Sequence, residues 1–149
     1  MEDRQIAVFK LNNQLCGVDT SQIKEIVAYK DVYKEDSVPE FVEGFINIRD
    51  KKAAVVDLNR RFELGETQIT NKTKIITVEQ QDITLGFAVD DVVEIINMPV
   101  ENIESSSNLV DDSKKRYVEG VAKKDGREII TIINLGRVLL EQEIERLKK

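Results

Sequence analysis

The sequence predicts a mainly β fold: two duplicated small antiparallel barrels, with short helices between and after the strands. Three observations predict it. The stretch Phe41 to Phe62, FVEGFINIRDKKAAVVDLNRRF, holds two apolar runs joined by a short polar step, the pattern of a β-hairpin. The stretch recurs: Phe41-Val42-Glu43-Gly44 matches Tyr117-Val118-Glu119-Gly120, and Val55-Val56-Asp57-Leu58 matches Ile132-Ile133-Asn134-Leu135. Upstream, Val18-Asp19 followed by Lys24-Glu25-Ile26-Val27 is echoed by Val89-Asp90 followed by Val93-Glu94-Ile95-Ile96. Self-similarity at this scale marks duplicated structural units. Finally, short strand-like runs outnumber helical ones along the whole chain, and small barrels accommodate them economically.

Taken in order, Ile6 to Leu11 and Gln14 to Asp19 flank Asn12-Asn13. Asn tolerates positive φ, so this is a two-residue hairpin pairing Phe9 with Cys16 and Ala7 with Val18. Cys16 is then a small core residue, with no cationic neighbour to activate it. Thr20 and Ser21 are placed to cap a short helix running through Ile23, Glu25, Ile26 and Val27, with Ile23 and Ile26 sharing a face. Asp31 to Ser37 is a charged loop that ends before Pro39. In the central hairpin a loop at Asp50-Lys51 sets Arg49 opposite Lys52, Asn47 opposite Ala54 and Phe45 opposite Val56. Ile46 and Ile48 then form the core face, leaving Phe45, Asn47 and Arg49 on the other.

Asp57 is expected to cap a helix of about two turns, Leu58 to Leu64, stopped by Gly65. Glu66 to Lys72 is polar and marks the boundary between halves, giving approximate subdomains 1–70, the first barrel, and 71–149, the second barrel with the C-terminal helix. Lys74 to Glu79 and Ile83 to Val89 read as strands around Gln80 to Asp82, and Asp91 to Met98 as a β-branched strand. Ser105 to Lys115 is a polar loop. Arg116 to Lys123 and Glu128 to Ile133 flank Asp125-Gly126, a type I′ turn signal. Asn134 caps a final helix, Leu135 to Lys149, striped with Leu135, Val138, Leu139 and Leu147 and basic at its end.

Composition narrows the function. The chain has 149 residues and a net charge of −6, which argues against a non-specific nucleic-acid binder and against an anionic membrane surface. Arg49, Lys51, Lys52, Arg60 and Arg61 read either as a local basic patch or as ordinary solvated surface. There is no His, which removes the commonest general base and metal ligand. The one Cys allows no intrachain disulfide or Cys-rich zinc site and suits a reducing cytosol. No signal peptide or membrane-length apolar run is visible. No phosphate loop, dinucleotide fingerprint, nucleophile elbow or metal-spaced cluster appears, and Asp90 and Asp91, adjacent in a strand, point to opposite faces. A non-catalytic binding module remains, with no cofactor and no metal.

The run FVEGFINIR followed by AVVDL resembles the pattern F-x-x-G-x-I-N-x-R-G…P-V-x-D-L of CheW-type chemotaxis coupling proteins. The resemblance extends through the Glu-Ile element, the second-half Gly86-Phe87-x-Val89-Asp90 and the Asp125-Gly126-Arg127 hairpin. It implies two SH3-like five-stranded barrels around a shared core. It also implies a cytoplasmic scaffold that joins the chemotaxis histidine kinase, through a regulatory domain of the same fold, to the cytoplasmic tip of methyl-accepting chemoreceptors. Such a scaffold sits at the inner face of the membrane through receptor arrays, without inserting into it. Carried over by matched motif, the receptor-binding groove involves Ala7, Thr20, Ile23, Ile26 and Val92, with Glu25, Asn47 and Arg49 as polar members. Two departures stand out: Asp50 replaces the family Gly after the Arg, and the Pro of the return strand gives way within Ala53-Ala54. Asp can adopt left-handed geometry, so an altered hairpin tip is expected and not a lost fold. The alternatives are a CheW-like scaffold of another receptor-kinase pathway, such as surface motility, and a small-molecule-binding or enzymatic barrel. The last needs a deep pocket with convergent polar groups.

Overall fold

The computed structural model describes residues 3–105, 116–124 and 128–148. Among these residues eleven strands run β1 (Asp3–Leu11), β2 (Gln14–Asp19), β3 (Glu25–Ala28), β4 (Gly44–Ile48), β5 (Lys51–Asp57), β6 (Lys74–Gln80), β7 (Ile83–Val89), β8 (Asp91–Pro99), β9 (Ile103–Ser105), β10 (Val118–Lys124) and β11 (Glu128–Ile133). The α-helices among them are α1 (Leu58–Arg61) and α2 (Glu141–Leu147). The chain is mainly β, as expected, and its strands form a six-stranded sheet, β8-β1-β2-β11-β10-β9, and a five-stranded sheet, β3-β6-β7-β5-β4.

The strand orders reveal how the repeat is used. Replacing β3, β6, β7, β5 and β4 by β8, β1, β2, β11 and β10 converts the second order into the first five strands of the first, to which β9 is added at the edge. The two sheets therefore do not coincide with residue ranges 1–70 and 71–149. Each takes one hairpin from one half and another hairpin from the other half. The junction is a parallel pair in both sheets, β2 with β11 and β5 with β7, so the sheets are mixed and not purely antiparallel. The registers agree in detail. Gly17 lies opposite Ile132, and Gly86 opposite Val55; Gly120 also lies opposite Ile132, and Gly44 opposite Val55. A Cβ on Gly17 would come 2.6 Å from a methyl of Ile6, and one on Gly86 2.7 Å from a methyl of Ile75, so both positions need the missing side chain.

Three apolar clusters explain why the central strands read as unbroken hydrophobic runs. Ile6, Val8, Ile130 and Ile132 fill the inside of one sheet with Met98 and Ala122. Ala53, Val55, Ile75 and Ala88 fill the other with Ile46. The alternate residues, Ala7, Phe9, Ala54, Val56, Ile76 and Phe87, meet in a larger cluster shared by both sheets. A strand buried on both faces loses its polar alternation. Phe45 belongs to the shared cluster and Ile46 to an inner one, so the central hairpin has two core faces, not one.

Local expectations fared unevenly. The Asn12-Asn13 hairpin pairs Phe9 with Cys16 and Ala7 with Val18, and Cys16 is buried. The element after Asp19 is not a helix. A single 3-10 turn spans Thr20–Gln22, with Asp19 as its cap, accepting from the Ser21 N–H. The chain then extends into β3, where Ile26 pairs with Ile76. The edge of β6 offers these backbone groups a ladder, and β-branched Ile26 and Val27 suit it. Asp57 caps α1 through the Asn59 N–H at 3.0 Å, but α1 is one turn, since Glu63 already has φ 61°. Asn134 performs the equivalent cap on a 3-10 turn, Leu135–Arg137, and α2 starts afresh at Glu141. Ile144 joins Leu135, Val138 and Leu139 in the shared core. The Asp125-Gly126 turn and most of the Ser105 to Lys115 loop lie outside the described residues.

Candidate functional site

The tip of the β4–β5 hairpin differs from the expected register. Asn47 pairs with Lys52 and Ile48 with Lys51, so the loop residues are Arg49 and Asp50. Their φ values of 50° and 67° are those of a type I′ turn, whose twist matches the flanking strands. Asp50 thus takes a left-handed geometry with no glycine at this position. Arg49 is a turn residue and not a strand residue opposite the isoleucines. Its side chain leans across to β3, where Nε lies 3.3 Å from Glu25 Oε1. The Arg49 side chain is 80% exposed and that of Glu25 25% exposed, so the pair stands at the surface, open to a partner.

Glu25 is held from behind. Its N–H donates to Thr77 Oγ1 and its carbonyl accepts from the same hydroxyl, both at 3.0 Å, and Thr77 is fully buried. Beside this pair stands a group that sequence reading missed. Glu79 on β6 accepts from Lys24 Nζ at 2.5 Å and Thr84 Oγ1 at 3.1 Å, and lies 3.6 Å from Lys51 Nζ. The Lys24 ammonium, then the Thr84 hydroxyl, hold the Glu79 carboxyl below the usual carboxylate range. The missed signal was the hairpin register: only a loop at Arg49-Asp50 brings Lys51 beside the end of β6.

The other expected site residues divide into three groups. Ile23, just after the 3-10 turn, Ile26 on β3 and Val92 on β8 are half-buried and pack on the shared core. Thr20 donates through Oγ1 to Gln5 Oε1 at 2.9 Å. Asn47 is exposed, with Oδ1 3.4 Å from the Tyr33 hydroxyl, and Tyr33 stands against Phe45 with ring centroids 6.1 Å apart. The expected grouping of Phe45, Asn47 and Arg49 on one open face does not occur, because Phe45 is buried and Arg49 turns away. Ala7 is fully buried between Val18 and Ile95 and presents no surface; Ile95, its neighbour on β8, is 56% exposed. Burial pushes the Cys16 thiol up to about 12, leaving no thiolate nucleophile at neutral pH. No group of three or more His, Cys, Asp or Glu is gathered for a metal among the described residues. No helix among them is long and apolar enough to cross a membrane.

A family model described as a CheW-like domain matches residues 5–143. The chain belongs to the CheW-like domain family. The chemotaxis protein CheW of Bacillus subtilis (strain 168) is 29% identical over 135 residues, spanning 91% of this chain and 86% of the relative. That of Treponema pallidum (strain Nichols) is 25% identical over 150 residues, spanning 98% and 88%. The crystal structure of the scaffolding protein TtCheW from Thermoanaerobacter tengcongensis superimposes with a TM-score of 0.81 at 33% identity, covering 96% of this chain and 92% of that one. The CheW-like fold of two SH3-like subdomains with a C-terminal helix accounts for the two sheets and α2.

Proposed function

We propose that the chain is a non-catalytic adaptor of bacterial chemotaxis that couples the cytoplasmic tip of methyl-accepting chemoreceptors to the chemotaxis histidine kinase. It acts in the cytoplasm, held at the inner face of the membrane by the receptors. The observation that carries this reading is the similarity to CheW proteins over nearly the whole chain, including the TtCheW scaffold. In this reading Ile23, Ile26 and Val92 form the apolar part of the receptor groove, and the Glu25–Arg49 pair its polar lip. Thr20 and Asn47 flank them. Ala7 supports the groove from below, as a small residue that lets β1 approach the shared core closely.

The physical logic is that of an interface module. Half-buried aliphatic side chains on hydrogen-bonded strands offer apolar area with little ordering cost on binding, and an Arg beside them supplies a directional contact. The test is reconstitution. The purified chain, a receptor-tip fragment and the kinase are mixed, and complex formation and kinase autophosphorylation are followed. The expected result is a ternary complex and a kinase rate that depends on receptor only when the chain is present. Failure to co-purify with either component, or turnover of a substrate by the chain alone, overturns the reading.

A further inference from the structure

We infer that Glu79 is a positioning residue for Arg49: its carboxylate ties together the two segments that carry the Glu25–Arg49 pair. The inference rests on the receptor-binding reading above and names a determinant of that site. Lys24 precedes Glu25 directly, and Lys51 follows the Arg49-Asp50 turn directly. Glu79 holds both ammonium groups, Lys24 at 2.5 Å and Lys51 at 3.6 Å, and is itself steadied by Thr84 Oγ1 at 3.1 Å. Arg49, 80% exposed with one ion-pair contact, has no other ion pair or side-chain hydrogen bond among the described residues. The direction in which it presents its guanidinium therefore depends on where the turn sits relative to β3, and the Lys24–Glu79–Lys51 bridge fixes that.

The internal repeat argues that the bridge is not a requirement of the fold. Counting back from the equivalent turns at Asn12-Asn13 and Gln81-Asp82, Glu79 corresponds to Lys10 and Thr84 to Leu15. The Glu-Ile match sets Lys24 against Val93, and the closing pairs of the two hairpins set Lys51 against Glu128. The six-stranded sheet thus carries Lys10, Leu15, Val93 and Glu128 at these positions, so the Lys–Glu–Lys set is not repeated there. Exposed ion pairs contribute little to folding. What they can do is restrict a side chain before binding, so that less freedom is lost when the partner arrives.

The experiment compares the wild-type chain, Glu79→Gln, Arg49→Ala and the double variant, with Glu101→Gln as a remote charge control. Binding is titrated with a receptor-tip fragment, and the Arg49 Nε–H signal is followed by NMR in the chain alone. Glu79→Gln is expected to weaken binding about three- to tenfold with an unchanged melting temperature. It should add nothing in the Arg49→Ala background, and it should shift the Arg49 Nε–H signal and speed its exchange with solvent. Unchanged affinity, or an equal loss with and without Arg49, overturns the inference, the latter because Glu79 would then touch the partner itself. If the wild-type chain does not bind receptor, the functional reading fails, and the Arg49 signal alone decides: an unchanged signal in Glu79→Gln overturns the positioning role.

Discussion

Arg61 and Glu143 join α1 to α2 across the shared core, and their separation offers a quantitative test of how the C-terminal helix is held. Arg61 Nη1 donates to Glu143 Oε2 at 2.8 Å, Nη2 donates to Oε1, and Nη2 also reaches the Val138 carbonyl at 3.3 Å. Glu143 Oε1 accepts the Leu140 N–H at 2.7 Å as well, closing the first turn of α2. The two side chains are 20% and 14% exposed. Breaking one side of a fully buried pair costs about 3 to 5 kcal/mol; with this residual exposure a loss of about 2 to 3 kcal/mol is expected for Arg61→Met. At the size of this chain that is a fall in Tm of roughly 5 to 10 °C. Burial by itself raises the Glu143 carboxyl, but the Arg61 fork and the Leu140 N–H outweigh it and hold the pKa below the usual range. A carboxyl lowered by folding adds stability above its unfolded pKa, about 4.3 for Glu, and loses it as pH falls through the folded value. The difference between wild type and Arg61→Met should therefore be full at pH 7 and shrink at pH values below about 4. Urea unfolding at pH 7 and pH 3.5 with a common m-value measures both effects. A loss under about 1 kcal/mol, the ceiling for exposed pairs, or one that does not change with pH, refutes the argument.

At the hairpin tip, Asp50 sits at φ 67°; Asp50→Gly should raise stability by about 0.5 to 1 kcal/mol and Asp50→Val lower it by about 2 kcal/mol, read by thermal melting. Arg49→Ala should leave the melting curve within about 1 kcal/mol of wild type, because the pair is exposed, while weakening receptor-fragment binding at least tenfold, about 1.4 kcal/mol. Unchanged affinity removes Arg49 from the site, and a collapsed melt makes it structural. Cys16, buried with its thiol pushed up to about 12, should resist alkylation at pH 8 in the native chain and react at once in denaturant; equal rates in both would contradict its burial.

Legibility in the sequence followed the range of the forces involved. The repeat, the Asn12-Asn13 hairpin and the strands β6 to β8 were readable because local pattern and final packing agree there. The caps at Asp57 and Asn134 were readable for the same reason. The segment around Ile26 was misread as a helix because its strand identity comes from β6, about fifty residues away. The central hairpin slipped because Ala53–Val56, buried on both faces, carries no alternation to fix register. The turn preference of Arg49-Asp50 is weaker than that of an Asn-Gly pair. That slip also hid the partner of Arg49 and the whole Glu79 bridge. Ala7 was placed in the site by motif alone, and its full burial leaves it no exposed surface.

The hairpin exchange between halves changes what a fragment of this chain can be. Cut in the polar segment after Gly65, the first piece holds β1–β2 without its β11 neighbour and β4–β5 without its β7 neighbour. Neither sheet survives in either piece, so neither piece has a core to fold around. A single ancestral unit of this pattern could have closed both sheets only by giving a hairpin to a second copy and receiving one in return. The present chain has the architecture of such a pair with its two members tethered, and the segment 66–72 is the tether. Co-expressed halves should accordingly reassemble into the native fold, whereas each half alone should remain unfolded, a behaviour that two independently folding barrels on one chain would not show.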